Sequence, residues 1–360
     1  MKYHLAVFTT AAVAFFLRLP LRAVVSAAAL LRAVVLGLSL YERNRDGYAT
    51  ISYKRGVSRE FSTTPALDKA AIRRTLSYGK VLMSVADVKL GLLAGRLPYA
   101  WFGKGPQRLA IFPGLADATW DVTSRKWNLL EHYRRFTDEF TVYIVSRKRH
   151  LPSGCTTRDM AADYAAAFEQ EIGPAVVMGI SLGGCIAQHF AADYPQYVQR
   201  LVIGCAAVRP GAEGRKIPER WLALARQNRW REFYFDIAKV TIQEFHHTFY
   251  QLLIPLLRTR PADPKDFLMA LEASVAHDGT EALGRIQAPT LVIGGSEDIF
   301  FPPALLRETA QRIRHATLRL IDGGQHAAYE LRKDEFESAV MDFLHAHDSA
   351  ALPASVPLAA

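Results

Sequence analysis

The stretch Ala175–Ile180 (AVVMGI) constrains this chain more than any other. It is apolar without a break, and the chain then passes through Ser181 into Leu182–Asp193, which reads as a helix. A strand with one face in water alternates polar and apolar residues, whereas a strand with no polar position must be covered on both faces. Similar runs recur: Arg108–Phe112, Phe140–Val145, Leu201–Ala206, Thr290–Ile293 and Leu318–Ile321. Helical spacing lies between them at Met160–Gln170 and Leu182–Asp193 and after them at Glu335–His345. Strands and helices in alternation predict an α/β domain: a mostly parallel central sheet with helices on both faces.

That rhythm spans residues 97–347 with one interruption. Between about 209 and 287 the chain is helical and irregular, and Trp221, Trp230, Phe233, Tyr234, Phe235, Phe245, Phe249 and Tyr250 crowd its first half. Open α/β sheets bind ligands outside the carboxyl ends of their strands. A helical cap over that edge is therefore expected, with Trp221, Trp230, Phe233 and Phe245 as candidate pocket walls. An ordinary small helical core would use the same residues. Residues 46–96 read as a connecting region, helix-like from Ala66 to Leu93. The Ala-, Pro- and Ser-rich end, 348–360, reads as a flexible tail.

Residues 1–45 are apolar but carry Arg18, Arg22, Arg32 and Arg43. Leu5–Leu17 falls short of the roughly 20 residues that a spanning helix needs. Arg18 and Arg22 fit poorly with a cleaved signal, although Val25-Ser26-Ala27 resembles a cleavage site. After Pro20, Arg22, Ser26, Arg32, Ser39 and Arg43 fall on one side of a helix whose other side is Leu, Val and Ala. A basic stripe of this kind suits an interfacial helix with snorkelling arginines. Membrane association at the cytoplasmic face is the expectation. A helix packed on the core of a soluble cytoplasmic protein, or an exported protein, are the alternatives.

Half of the residues are hydrophobic and 22% charged, which places the domain among globular chains. Lysine and arginine exceed aspartate and glutamate by 44 to 35, a net charge of +9. No zinc spacing, RNA-binding signature or long basic run accompanies that excess, so no nucleic-acid partner is expected. Three cysteines make no disulfide framework. His246-His247 lacks companion ligands at metal-binding spacing, and no metal is expected. His150 lies in a basic loop and reads as solvated. Oligomeric state is not legible.

Gly179-Ile180-Ser181-Leu182-Gly183 places a serine between a strand and a helix with glycine on both sides. Such a turn strains the serine backbone, excludes side chains at the flanking positions and lifts the hydroxyl out of the sheet beside a helix N-terminus. A serine needs a positioned base, and the base needs an acid to fix its tautomer. Two later strands end in glycine loops bearing suitable residues: Gly294-Gly295-Ser296-Glu297-Asp298 and Gly323-Gly324-Gln325-His326. His326 is the candidate base and Asp298 the candidate acid, with Glu297 and Asp322 as the competing carboxylates. The N–H groups that would meet a developing oxyanion are those of Leu182 and of Leu115, in the loop Pro113-Gly114-Leu115.

These segments resemble the α/β-hydrolase superfamily from Arg108 to about His345. GISLGGCIAQHFAADYPQYVQRLVIGCAA, PTLVIGGSEDIFFPP and LIDGGQHAAYE are similar to the elbow, acid and histidine segments of 3-oxoadipate enol-lactone hydrolases and related esterases. Pro113-Gly114 stands where many members have His-Gly, and the first hundred residues have no counterpart in the lactonases. The resemblance implies an α/β-hydrolase fold and cleavage of a carboxylic ester or lactone through an acyl-serine, with no metal or organic cofactor. The aromatic cluster and the N-terminus point to a moderately apolar, small-molecule ester. Carbon–carbon bond hydrolases and perhydrolases share the same three residues. A membrane-attached acyltransferase would use them with an alcohol in place of water, and a non-catalytic binding protein could retain the fold.

Overall fold

The computed structural model describes residues 88–118, 122–124, 126–241, 260–261 and 263–346. The N-terminal segment 1–45, the connecting residues up to 87, the histidines at 246 and 247, Phe245 and the tail from 348 lie outside them. Among the described residues no helix is long and apolar enough to cross a membrane.

Eight strands form one sheet: β1 (Lys89–Leu93), β2 (Leu97–Phe102), β3 (Gln107–Phe112), β4 (Phe140–Val145), β5 (Ala175–Ile180), β6 (Val198–Gly204), β7 (Thr290–Gly295) and β8 (Ala316–Ile321). Their order is β1-β2-β4-β3-β5-β6-β7-β8. The pairings β1–β2 and β2–β4 are antiparallel, and all others are parallel. Every residue of β5 and β7 is buried, as the apolar runs Ala175–Ile180 and Leu291–Ile293 require, and the one polar side chain, Thr290, donates to Ala288 O. The edge strand β8 instead alternates, with Thr317 and Arg319 more exposed than their neighbours.

The helical reading of Ala66–Leu93 fails at its end, where Lys89–Leu93 is a strand. Ala94 and Gly95 both take positive φ (47° and 68°), and Arg96 N–H donates to Leu93 O at 3.0 Å. This tight turn folds β1 back on β2, so a sheet partner overrides the local helical spacing.

Helices α1 (Lys126–His132), α2 (Thr157–Ala167) and α3 (Leu182–Asp193) follow β3, β4 and β5. A capping box opens α2: Thr156 Oγ1 accepts from Asp159 N–H, and the Asp159 carboxylate accepts from Thr156 N–H. In α3 every residue but Asp193 is buried, which makes it the central helix of the layer. Among the described residues four helices lie between β6 and β7: α4 (Ala212–Arg226), α5 (Trp230–Thr241), α6 (Pro264–Val275) and the single turn Thr280–Leu283. Past β7, α7 (Pro303–Arg312) and α8 (Lys333–Ala346) complete the elements used below.

Asp266, in the first turn of α6, ties this insertion to the loop after β4. Its buried carboxylate accepts Leu151 N–H at 2.7 Å and His150 N–H at 2.8 Å. A buried amide left without such an acceptor costs about 1–3 kcal/mol, so the tether holds strongly. The inserted helices also share an aromatic core, in which the Phe233 ring packs against Trp230 (5.7 Å), Phe267 (5.1 Å) and Trp221 (6.0 Å).

Candidate active site

Parallel strands bring their carboxyl ends to one edge. At that edge stand the loop after β3 (Pro113–Ala118), Ser181 after β5, Ser296–Asp298 after β7 and Gly323–His326 after β8. Residues from distant parts of the chain meet here because the sheet aligns the strands, not because the sequence places them close.

Ser181 sits between β5 and α3 with φ 54° and ψ −120°. A non-glycine residue in this region stores strain that persists only where its surroundings hold it. Ser181 N–H donates to Gly204 O at 2.8 Å. The glycines explain how the turn closes. A side chain at 183 would overlap the carbonyl oxygen of Phe112, and one at 179 would overlap that of Gly183. The backbone after β3 therefore packs directly on the serine turn. Gly114 lies so close that a Cβ built on it would stand 3.9 Å from Ser181 Oγ.

Ser181 Oγ lies 2.9 Å from His326 Nε2, and His326 Nδ1 lies 2.9 Å from Asp298 Oδ2. A carboxylate only accepts, so Nδ1 carries the proton and Nε2 presents its lone pair to the hydroxyl. The Asp298 side chain has no solvent exposure, and its other oxygen accepts the N–H groups of Phe300 (2.8 Å) and Phe301 (3.0 Å). The competing carboxylates, Glu297 and Asp322, are exposed. Backbone pairing joins the two loops: Ser296 N–H donates to Ile321 O and Glu297 N–H to Gly324 O. Their approach demands glycine, since a Cβ at 295 would overlap Gly324 O.

Leu182 opens α3, where first-turn N–H groups lack intrahelical partners. Leu115 starts a short 3₁₀ turn, Leu115–Ala118, directly after Gly114. Both candidate donors thus belong to segments that begin next to Ser181 or to Gly114.

The aromatic residues form one buried series that reaches the imidazole. Phe300 and Phe301 place their rings 4.7 Å and 5.8 Å from the His326 ring, and Trp221 lies 5.6 Å from Phe300. Trp221 is therefore one ring away from the imidazole. Trp230 and Phe233 are buried among the inserted helices and against Phe267. Phe245 lies outside the described residues. Phe300 and Phe301 are absent from the pocket residues that the sequence suggests, although two aromatics directly after the acid loop are a signal for them.

The cysteines and one further histidine are sequestered. Cys155, Cys185 and Cys205 are buried free thiols, and burial pushes the last two well above the usual thiol range. His277 is buried, lies 2.9 Å from Thr157 Oγ1, and is pushed down to about 3 chiefly by desolvation. It stays neutral across the physiological range. His150 is solvent-exposed and lies near Asp263, whose other oxygen caps α6 through Lys265 N–H and Asp266 N–H.

Known proteins resemble this chain in sequence and in fold. A pimeloyl-[acyl-carrier protein] methyl ester esterase of Neisseria meningitidis is 29% identical over 201 residues, covering 52% of this chain and 75% of that protein. Among solved structures, an α/β-hydrolase enzyme from a Medee basin deep-sea metagenome library superposes with a TM-score of 0.61 at 20% identity. It covers 74% of this chain and all of its own. The enol-lactonase of Burkholderia xenovorans LB400 superposes at 0.57 and 21% identity, covering 71% of this chain and all of that one. At such identities the structural likeness is one of fold. The model of the alpha/beta hydrolase family matches residues 109–339, from the third strand into the last helix. The chain belongs to the α/β-hydrolase family of enzymes.

Proposed function

We propose that this protein is a serine hydrolase that cleaves a moderately apolar carboxylic ester or lactone through an acyl-serine intermediate. Ser181 attacks the carbonyl carbon while His326 Nε2 takes its proton. Asp298 holds the imidazole tautomer and stabilises the imidazolium. The oxyanion of the tetrahedral intermediate accepts from the N–H groups of Leu115 and Leu182. His326 then returns its proton to the leaving alkoxide. Water, activated by the same imidazole, releases the acid. The observation that carries this reading is the hydrogen-bonded chain from the strained Ser181 hydroxyl through His326 to the buried Asp298.

The apolar preference rests on Phe300 and Phe301, whose rings pack against His326, and on Trp221, which reaches Phe300 from the helices that we read as a cap. Ester hydrolysis also agrees with the activity named for the Neisseria relative. The test is a series of p-nitrophenyl esters of rising chain length. kcat/KM is expected to rise from acetate to medium-length acyl groups by about tenfold for each 1.4 kcal/mol of apolar contact, and then to fall. Brief quenching should trap a protein heavier by one acyl group. Absence of turnover across the series would remove the ester reading and favour carbon–carbon bond cleavage.

The basic, apolar segment 1–45 supports action at a membrane surface. Full-length protein should sediment with membranes, and protein lacking residues 1–45 should not. Full-length protein found wholly in the soluble fraction would overturn this.

A further inference from the structure

Arg147 is among the most deeply buried large side chains of the described protein, at 2% exposure, although it stands in the sequence Ser-Arg-Lys-Arg-His. Its guanidinium donates to three successive carbonyls of the loop after β3: Nη1 to Pro113 O (3.0 Å) and Gly114 O (3.0 Å), and Nη2 to Leu115 O (3.4 Å). The same Nη2 lies 3.5 Å from Asp117 Oδ2, whose side chain is also buried. Asp117 is held in turn by the Ser146 hydroxyl (2.6 Å) and Arg147 N–H (3.0 Å), and Arg149 Nη2 lies 3.7 Å from its other oxygen. A buried cation with its planar fork spread over consecutive carbonyls is an unusual use of charge, because such groups ordinarily meet carboxylates or phosphates.

The consequence follows from the planar trans peptide. Its C=O and the next N–H point in opposite directions. Drawing Gly114 O toward Arg147 turns Leu115 N–H the other way, and drawing Pro113 O turns Gly114 N–H likewise. Gly114 lies beside Ser181, close enough that a Cβ built on it would stand 3.4 Å from Ser181 Cβ. A cationic donor on a carbonyl also polarises the peptide it belongs to, which strengthens that peptide's N–H as a donor. From these contacts we infer that Arg147, braced by Asp117, is a positioning residue for the oxyanion site: it aims and strengthens the Leu115 N–H without touching substrate. The inference rests on the proposed reading of Leu115 as an oxyanion donor.

The test compares an oxygen ester with its thionoester, whose sulfur is larger and a weaker hydrogen-bond acceptor. Rates are taken per Ser181 titrated with a fluorophosphonate, so that only folded sites count. Wild type should prefer the oxygen ester by at least about a hundredfold, the order of effect of one oxyanion donor. Arg147→Lys keeps the charge against Asp117 but loses the fork. It should lower kcat on the oxygen ester about tenfold to thirtyfold, leave KM within about twofold and barely change the thionoester rate. The preference then collapses by the same factor. The double variant Asp117→Asn/Arg147→Met removes both buried charges together and should show the same collapse or a larger one. Unchanged kcat in both variants, or equal losses on both substrates, would overturn the role of Arg147. A wild-type enzyme indifferent to the thionoester would instead overturn the oxyanion reading on which it stands.

Discussion

Replacing Ser181 by alanine is expected to lower kcat for any accepted ester about a million-fold and to abolish labelling by a fluorophosphonate, while circular dichroism and thermal unfolding stay close to wild type. The size of the loss follows from covalent catalysis. Without the hydroxyl no acyl-enzyme forms, and what remains is the contribution of substrate binding and the oxyanion donors. A factor of a million corresponds to about 8 kcal/mol of transition-state stabilisation. The fold should be largely indifferent, because the hydroxyl's partner is the His326 ring at the partly open mouth of the site. Stability could rise slightly in proteins that carry strained active sites, yet here the strain lies in the backbone at φ 54°, which alanine would also have to adopt. Labelling is the sharper readout, because it asks which atom is nucleophilic and not merely whether turnover stops. Persistent labelling of the alanine variant, mapped by mass spectrometry to another serine, would reassign the nucleophile and dismantle the mechanism.

How far the sequence reveals all this depends on whether the determining contacts are local. The central strands are legible because burial on both faces leaves an unbroken apolar run, as in Ala175–Ile180 and Leu291–Ile293. The serine turn is legible because its glycines answer a local steric demand, the overlap of any Cβ at 179 or 183 with neighbouring backbone. His326 and Asp298 are legible because each follows a strand in a glycine loop, and the glycines at 295 and 324 are what let those loops touch. Strand β1 is not legible, since its helical spacing is overridden by a turn at Ala94-Gly95 and by pairing with β2. Arg147 is hidden for a different reason. Nothing nearby distinguishes it from Lys148 and Arg149, whose side chains are 34% and 26% exposed. Its burial is dictated by Asp117, far upstream, and by carbonyls that only the fold presents. The aromatic cluster shows the same limit: Trp221 and Phe233 look alike in sequence, and only packing shows that Trp221 reaches Phe300 beside the imidazole while Phe233 meets Trp230 and Phe267.

Asp298→Asn should reduce kcat about ten-thousand-fold with KM nearly unchanged, and the reason lies in which atoms the carboxylate already serves. Oδ1 accepts from Phe300 N–H and Phe301 N–H, while Oδ2 faces His326 Nδ1. In asparagine the amide oxygen must remain toward the two buried N–H groups, because turning the NH₂ there would set donors against donors. The NH₂ group therefore faces Nδ1, and a donor in that place requires Nδ1 to present its lone pair. The proton moves to Nε2, which then donates toward Ser181 Oγ and cannot accept its proton. The geometry survives and the base does not. The same variant loses the negative charge that stabilises the imidazolium formed during acylation. Fluorophosphonate labelling should consequently become slow but still reach every molecule, unlike the alanine variant at 181, which never labels. A role confined to holding the loop together would give the opposite pattern, in which fewer molecules label but those that do react at the wild-type rate. Retention of more than about a tenth of wild-type kcat would show that another carboxylate, Glu297 or Asp322, orients the imidazole in solution.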